Sequence, residues 1–459
     1  MVSQALTIAK NTFIEATRQP IVFVLVMLSL VFQIFNTWNT GFSMGYSMDD
    51  TAEVTADNKL LFDIGLSTVF VFGTILAAFV ATASISREIE NKTVLTVISK
   101  PISRVTVILG KYLGVAGVLF VASVIMLGFL LIAIRHGVMQ TAADEVDAPV
   151  LVFGGLGLFL VIGLSGWANY FYGWSFPQTA FMLLLPVTVV VYLALLPVGK
   201  EWKLQPITKD FLPQVVTACA ALSLAILVLA SVATAASTRL GQVMTIVVCF
   251  GFFVLALLSN FLIGRHVFIN DAVAMVESVQ AKDASRSFVN DQEPITIQLN
   301  RALQKPIKQG DALYFSSSPN GFPALNLEGY TTDSEGKFAG KMGEINDIKG
   351  ANAKGLGIFA FESGSQQVTA YNVGSRSVNL TRMPEKGDYI FTTPTKTRTG
   401  LLALWGALPN LQYFWLLDAV SQNRRVPATY LGLTAMYAGV QIIGCLAVAV
   451  MLFQRRDVG

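Results

Sequence analysis

Long runs without any charged residue divide this chain, and they constrain its fold more than any other feature. A membrane-spanning helix needs about 20 apolar residues, and one charge at its centre costs about 2.5–3.5 kcal/mol. The charge-free runs lie at residues 19–48, 64–86, 112–134, 148–199, 211–238, 240–264 and 426–454. The pattern therefore predicts a protein that crosses a membrane several times as α-helices.

Composition agrees with this prediction, because only 13% of the 459 residues are charged, whereas soluble domains carry about 25%. The run 148–199 is too long for one span, and its polar, aromatic middle at 169–179 divides it into two. We therefore predict a mainly α-helical polytopic membrane protein with about eight transmembrane helices. The expected spans are 20–38, 64–85, 107–134, 150–171, 176–197, 213–236, 242–263 and 428–453.

Lysine and arginine near the span ends collect on one side of this topology, as they do on the cytoplasmic side of membranes. They precede span 1, link spans 2 and 3 at 87–111, and recur at Arg239, Arg455 and Arg456. Both termini are thus expected in the cytoplasm of a cell whose plasma (bacterial inner) membrane holds the protein. The loop 199–210 disagrees, because its three lysines fall on the outer side.

Residues 265–400 are polar, and short β-prone runs alternate there with turn residues. The pattern predicts an inserted extracytoplasmic β-rich domain of sandwich or barrel type. The β-prone runs are 294–299, 312–315, 357–361, 366–371, 376–381 and 388–392. The domain lies between residues 1–264, which hold spans 1–7, and residues 401–459, which hold the last span. The charge-free stretch 400–417 is interrupted by Pro409, which favours a re-entrant or interfacial segment.

The sequence contains no motif for chemistry within the chain. The string nearest to a phosphate-binding loop, 105–112, has one glycine, and Tyr112 stands where Ser or Thr would hold magnesium. Neither HExxH nor CxxC occurs, and His136 and His266 lie at span ends as ordinary interfacial histidines do. We expect no catalytic, cofactor or metal site in this chain, and a net charge of +3 gives no case for nucleic-acid binding.

Spans 3 to 8 also lack Asp, Glu, His and Arg away from their ends. Ion-coupled transporters usually carry such residues inside the membrane. Transport driven by an ion gradient is therefore disfavoured, and the energy for any transport is expected from another subunit.

The charged segment between spans 2 and 3, residues 86–106, is the candidate docking site for such a subunit. Glu88 and Glu90 precede an apolar turn at 94–98, and Pro101 ends that helix because the residue before proline disfavours the α region. Ser103 is then placed to cap the next helix. The alternative is a solvated loop that obeys the positive-inside rule. Residues 5–19 are expected to form an amphipathic helix at the membrane surface.

At these residues the chain resembles the permease subunits of ABC-2-type ABC transporters. The resemblance rests on the N-terminal amphipathic elbow, on REIENKTVLTVISKPISR followed by LGKYLG, on the basic link ASTRLGQ, and on the ending FQRRD. It covers roughly 1–134, 213–264 and 401–459. The usual family core has six spans, so 148–199 and 265–400 are departures that leave the substrate open.

The resemblance implies an ATP-driven permease, most simply an exporter, that carries no ATPase site itself. ATP and magnesium would be bound by a cytoplasmic ABC ATPase subunit, and a second permease copy or a related permease would complete the assembly within membrane lipid. The implied ATPase-docking residues are Arg87, Glu88, Glu90, Lys92, Thr93, Val94, Leu95, Ile98, Lys100, Pro101 and Arg104.

Gly110 and Gly114 form a GxxxG pattern at the start of span 3. Such a pattern permits close helix approach, although glycine is also tolerated in membrane helices without any packing role. Two functions of other classes stay open as well. The spans of a non-transporting scaffold would merely anchor a β-rich binding domain, and a secondary transporter is opposed by the missing intramembrane charges.

Overall fold

A computed structural model gives the architecture of the protein. It describes residues 2–39, 50–90, 103–138, 146–269, 271–280, 288–289, 294–301, 311–317, 357–363, 366–372, 381–382, 384–391, 396–416 and 426–454. The chain forms two compact units. One comprises Met1–Leu257 with Leu411–Gly459, and the other comprises Leu258–Asn410.

Eight of the described helices are long and apolar enough to cross a membrane. They confirm the eight expected spans, including the pair taken from the run 148–199. In chain order the helices are α1 (Val2–Thr17), α2 (Pro20–Asn39), α3 (Asp50–Glu90), α4 (Arg104–His136), α5 (Ala148–Tyr172), α6 (Phe176–Leu195), α7 (Pro213–Ser237), α8 (Gln242–Ser259), α9 (Thr399–Ala407) and α10 (Ala428–Gln454). The spanning ones are α2 to α8 and α10, and α8 continues through a π-helical turn to Val267.

Local sequence explains where the hairpin α5–α6 begins and turns. Asp147 caps α5 by accepting a hydrogen bond from the Val150 amide, and Pro149 occupies the first turn, where no amide donor is needed. Gly173 ends α5 with φ of +66°, a left-handed conformation that glycine adopts without steric cost. The run 148–199 therefore folds as two helices because its middle contains a helix stop.

The helices α3, α4 and α7 form the core of the membrane unit. Between 61% and 72% of each of their apolar windows is buried, against 28% to 39% in the other five spans. In a bilayer the remaining apolar side chains lie in hydrocarbon, so exposure on α5, α6, α8 and α10 carries no hydrophobic penalty. Force applied to α3 or α4 therefore acts directly on the centre of the helix bundle.

Polar side chains fix α2 against α3 inside the membrane. Gln33 Nε2 donates to the Gly65 carbonyl over 2.9 Å, and Asn36 Nδ2 donates to the Leu61 carbonyl over 2.8 Å. A Cβ on Gly65 would lie 2.3 Å from Leu130 Cδ1, so a larger residue at this crossing would require the Leu130 side chain to shift. Both side chains are uncharged amides, so the pattern of charged residues in the spans does not indicate this contact.

The second unit contains a closed six-stranded antiparallel barrel. Its strands follow the order β2-β4-β7-β6-β5-β9, and two further two-stranded sheets pair β1 with β10 and β3 with β8. The strands are β1 (Phe268–Ile269), β2 (Ala272–Gln280), β3 (Phe288–Val289), β4 (Pro294–Leu299), β5 (Asp311–Ser316), β6 (Gly357–Ser363), β7 (Gln367–Asn372), β8 (Thr381–Arg382), β9 (Tyr389–Phe391) and β10 (Lys396–Thr397).

Apolar side chains fill the barrel interior. They are Ala274, Val276, Ile295, Ile297, Leu299, Phe315, Val368 and Ile390. The expected strands 294–299, 312–315, 357–361, 366–371 and 388–392 coincide with β4, β5, β6, β7 and β9 within about two residues, the usual uncertainty of strand ends. Of the expected strand 376–381, residues 376–380 lie outside the described residues. The longest strand, β2, was not expected at all.

The stretch 400–417 contains two short helical pieces rather than one span. In the second unit α9 covers nine residues, about half of what a membrane crossing needs. In the first unit a 3-10 turn covers Leu411–Phe414. Pro409 lies between the pieces and cannot donate a helical hydrogen bond. None of the eight spanning helices among the described residues falls in this stretch.

Candidate coupling surface

The residues expected to dock an ATPase subunit fall into three groups. Arg87, Glu88 and Glu90 lie in the last turns of α3, where the backbone is described. Arg104 is the first residue of α4. The other docking positions lie outside the described residues, and they are Lys92, Thr93, Val94, Leu95, Ile98, Lys100 and Pro101. The described part of this site is therefore its frame, which consists of the ends of the elements on either side.

The start of α4 is fixed by its cap and by an arginine. Ser103 Oγ accepts a hydrogen bond from the Thr106 amide over 3.1 Å, as expected for the cap after Pro101. Arg104 Nη1 donates to the carbonyls of Phe453 and Gln454 over 3.2 and 2.9 Å. Its guanidinium also lies 5.9 Å from the centre of the Phe453 ring. The N-terminus of α4 is thus held against the C-terminus of α10.

A second arginine binds the same end of α10. Arg239, in the link between α7 and α8, donates from Nε to the Leu452 carbonyl over 2.9 Å. The last carbonyls of a helix have no partner within the helix, and they carry partial negative charge. Arg104 and Arg239 therefore satisfy three carbonyls at the C-terminus of α10 and neutralise that end.

The end of α3 joins the same frame. Ser86 Oγ donates to the Leu240 carbonyl over 3.0 Å, which places the last turns of α3 beside the α7–α8 link. Lys111, only 5% exposed, donates from Nζ to the Ser84 carbonyl over 2.6 Å. This contact ties α4 to α3 through a buried charge. We call Ser86, Arg104, Arg239 and the α10 C-terminus the coupling frame.

The surface helix α1 packs on the first turns of α4 through glycine. A Cβ on Gly110 would lie 2.8 Å from Ile8 Cβ, and one on Gly114 would lie 2.6 Å from the Ala9 carbonyl oxygen. Contacts this short are not found for real Cβ atoms, so the helices approach more closely than any other residue permits. Because α1 packs directly on α4, a movement of either helix affects the other.

A comparison with protein-family models matches residues 6–168 to the family described as ABC-2 family transporter protein. The matched range is 163 of the 459 residues, about a third of the chain, and this part is similar to that family. The range contains α1, both helices that border the docking segment, the segment itself, and most of α5. Searches of curated proteins and of solved structures gave no match.

The match continues beyond the part for which we expected a resemblance. Residues 148–168, taken from the sequence as part of an added hairpin, lie inside the matched range. The other parts of the expected resemblance, 213–264 and 401–459, lie outside it. Arg104 nevertheless bonds the second of these parts to the matched helix α4, and Ser86 bonds the first, at Leu240, to the matched helix α3.

At the end of α4 opposite the coupling frame lies a buried ionic cluster that the sequence did not reveal. Arg135 Nη1 lies 2.5 Å from Asp147 Oδ2, and Arg135 Nε lies 2.6 Å from Asp210 Oδ2. Arg135 Nη2 donates to the Val198 carbonyl over 2.8 Å, and Gln205 also donates to Asp210. The Asp147 side chain is fully buried, and that of Arg135 is 6% exposed.

This cluster shows at which end the loop 199–210 lies. Arg104 begins α4 at the coupling frame, and Arg135 lies in the last turn of the same helix. The loop reaches Arg135 through Val198 and Asp210, so its lysines lie at the end opposite the coupling frame. Arg135, an arginine at a span end, was the only sequence signal, since its partners are 12 to 75 positions away in the chain.

The histidines take no part in the coupling frame. His136 is mostly buried and its Nδ1 lies 3.1 Å from the Gly137 carbonyl, while His266 contacts Arg265. Within the described ranges, no three His, Cys, Asp or Glu side chains are grouped so that they could hold a metal ion.

Proposed function

We propose that this chain is the permease subunit of an ABC-2-type exporter driven by a separate cytoplasmic ATPase. The observation that carries the proposal is the family match, which runs without interruption through the docking segment and both helices that border it. ATP and magnesium are bound by the ATPase, and this chain contributes no cofactor site. A second permease copy or a related permease completes the membrane assembly.

The coupling frame supplies a path for the force. In this proposal the ATPase presses on the segment between α3 and α4 when it closes on ATP. Both helices belong to the buried core of the bundle. Lys111 ties α4 to α3, and Ser86 ties α3 to the α7–α8 link. Arg104 and Arg239 connect α10 to the same frame. The push is therefore distributed over α3, α4, α7, α8 and α10, which rock together and move the substrate outward.

The charges and the apolar turn have different parts in docking. Arg87, Glu88 and Glu90 form ion pairs with the ATPase, while the apolar side chains of 94–98 fill a groove on it. Reversal of a charge that is buried and partly paired at such an interface weakens binding by several kcal/mol. The acidic pair is therefore the sharpest point at which to test the proposal.

The test is co-purification with the doubly reversed variant Glu88→Lys, Glu90→Lys. An affinity tag on the wild-type chain is expected to retain a cytoplasmic protein with a phosphate-loop ATPase sequence, identified by mass spectrometry. The double variant is expected to lose it by at least about tenfold, since each repelled charge pair costs about 1.5 kcal/mol or more.

The matched control is Glu277→Lys, which reverses an exposed carboxylate on β2 of the barrel. It is expected to retain as much ATPase as the wild type, and equal membrane levels of all three proteins exclude a loss through misfolding. Undiminished retention by the double variant would refute docking at the acidic pair. Retention of no ATPase even by the wild type, together with tight ligand binding, would favour the scaffold.

A further inference from the structure

A cavity of about 780 Å³ lies where the link between α1 and α2 meets the turn of the hairpin α5–α6. The α5–α6 turn is at the same end of the helices as the coupling frame, because α5 starts beside Arg135 at the opposite end. The residues that line the cavity are Arg18, Asn169, Gly173, Trp174, Ser175, Gln178, Thr179, Met182 and Leu183.

The chemistry of this cavity suits an anion. Arg18 is the only charged residue among the described ones that line it, and none of the others is a carboxylate. Arg18 Nε donates to Gln178 Oε1 over 3.1 Å, which orients the guanidinium across the cavity. The remaining Arg18 nitrogens, the Gln178 amide and the Ser175 hydroxyl are hydrogen-bond donors. A phosphate group accepts from donors of this kind, and arginine binds it in a bidentate manner.

The wall of the cavity is prepared by internal hydrogen bonds. Asn169 Nδ2 donates to the Trp174 carbonyl over 2.6 Å, and the Thr179 hydroxyl donates to the Ser175 carbonyl over 3.0 Å. These bonds hold the α5–α6 turn in one shape without using Arg18. Hydrogen bonds within the turn therefore fix one wall of the cavity.

One side of the cavity is apolar and leads into the membrane. Met182 and Leu183 continue from the polar residues along α6, and Met182 is 44% exposed. Trp174 is 59% exposed beside the same opening, and tryptophan is enriched at the level of lipid headgroups. A ligand that fills the whole cavity must therefore be polar and anionic at one end and apolar at the other.

We propose that this cavity binds an anionic phospholipid, with its phosphate at Arg18 and the start of an acyl chain beside Met182 and Leu183. A lipid bound there bridges the surface helix α1 and the hairpin α5–α6. It would hold both at the membrane surface beside the coupling frame. The inference requires only that the helices cross a membrane and is independent of the ATPase partner.

The test uses the purified full chain in a non-ionic detergent. Phosphatidylglycerol, phosphatidylcholine and inorganic phosphate are each added, and retained lipid is counted by native mass spectrometry while the melting temperature is recorded. Phosphatidylglycerol is expected to be retained and to raise the melting temperature more than phosphatidylcholine does. Arg18→Gln is expected to weaken that retention about tenfold, the loss typical of one charge-assisted hydrogen bond.

Two further variants keep the result interpretable. Lys10→Gln removes an exposed cation from the same helix outside the cavity and is expected to behave as the wild type. Met182→Gln is expected to weaken retention of the lipid while its melting temperature without lipid stays unchanged. Equal retention by Arg18→Gln and wild type, or equal retention of both lipids, would overturn the proposal. Stabilisation by inorganic phosphate as large as that by phosphatidylglycerol would show a free-anion site and would overturn it too.

Discussion

Single residues decide how closely the helices of this protein approach each other, and Gly114 is the clearest case. Gly114→Leu places a side chain where the Ala9 carbonyl and Thr12 now lie. We expect the variant to lose about 1–3 kcal/mol, the usual cost of overpacking. Its melting temperature in detergent should fall accordingly. Gly163→Leu is the control, because nothing lies within 4 Å of a Cβ there; an equal fall in both variants would contradict the packing role.

Arg135 is a second residue whose substitution is expected to change stability strongly, although it lies at the end of a helix. Arg135→Gln leaves the buried Asp147 and the partly buried Asp210 without their shared cation. Removal of one partner from a buried ion pair costs about 3–5 kcal/mol. We expect a loss of this size in unfolding by sodium dodecyl sulfate in mixed micelles.

The comparison for Arg135 is Lys203→Gln, which breaks an ion pair with Glu201. Both side chains of that pair are mostly exposed, at 81% and 63%. Exposed pairs contribute about 0–1 kcal/mol, so this variant should unfold almost as the wild type does. A similar small effect of Arg135→Gln would mean that the cluster is not stabilising.

At the scale of elements, the last backbone carbonyls of α10 depend on neighbouring elements for their hydrogen bonds. In the double variant Arg104→Gln, Arg239→Gln the carbonyls of residues 452–454 lose their cationic donors. The last turn of α10 should then fray, and its amides should exchange with deuterium several-fold faster. The middle of α10 should exchange as before, which serves as the internal control; unchanged exchange at 450–454 would refute the capping role.

The sequence predicted elements whose own residues determine them. Charge-free length predicted seven runs, and the polar, aromatic middle of 148–199 divided one of them to give eight spans. The capping serine predicted the start of α4 at Arg104. β2 was missed because its Ala, Met and Glu residues favour helix, and pairing with β4 and β9 holds it as a strand. The partners of Arg104 and Arg239 were missed because backbone carbonyls leave no trace in a sequence.

At the scale of the whole molecule, the expected topology predicts that the barrel unit and α1 are accessible from opposite sides of the membrane. Ser317→Cys, on the barrel unit, should react with a membrane-impermeant maleimide in intact cells, because we expect that unit outside. Gln4→Cys, exposed on α1, should react only after lysis. Replacement of the three native cysteines by Ala removes background labelling. The opposite pattern would invert the proposed orientation and would place the coupling frame away from any cytoplasmic ATPase.

The closed barrel has a consequence for recognition. Each of its six strands is paired on both sides, so none offers the free row of amides and carbonyls to which an added strand could bind. Among the described residues, apolar side chains pack in its interior. A molecule that binds this unit must therefore contact side chains on the outer wall of the barrel or the connections between its strands. Selectivity there would evolve by changes in loops and surface residues, while the fold beneath them stays constant.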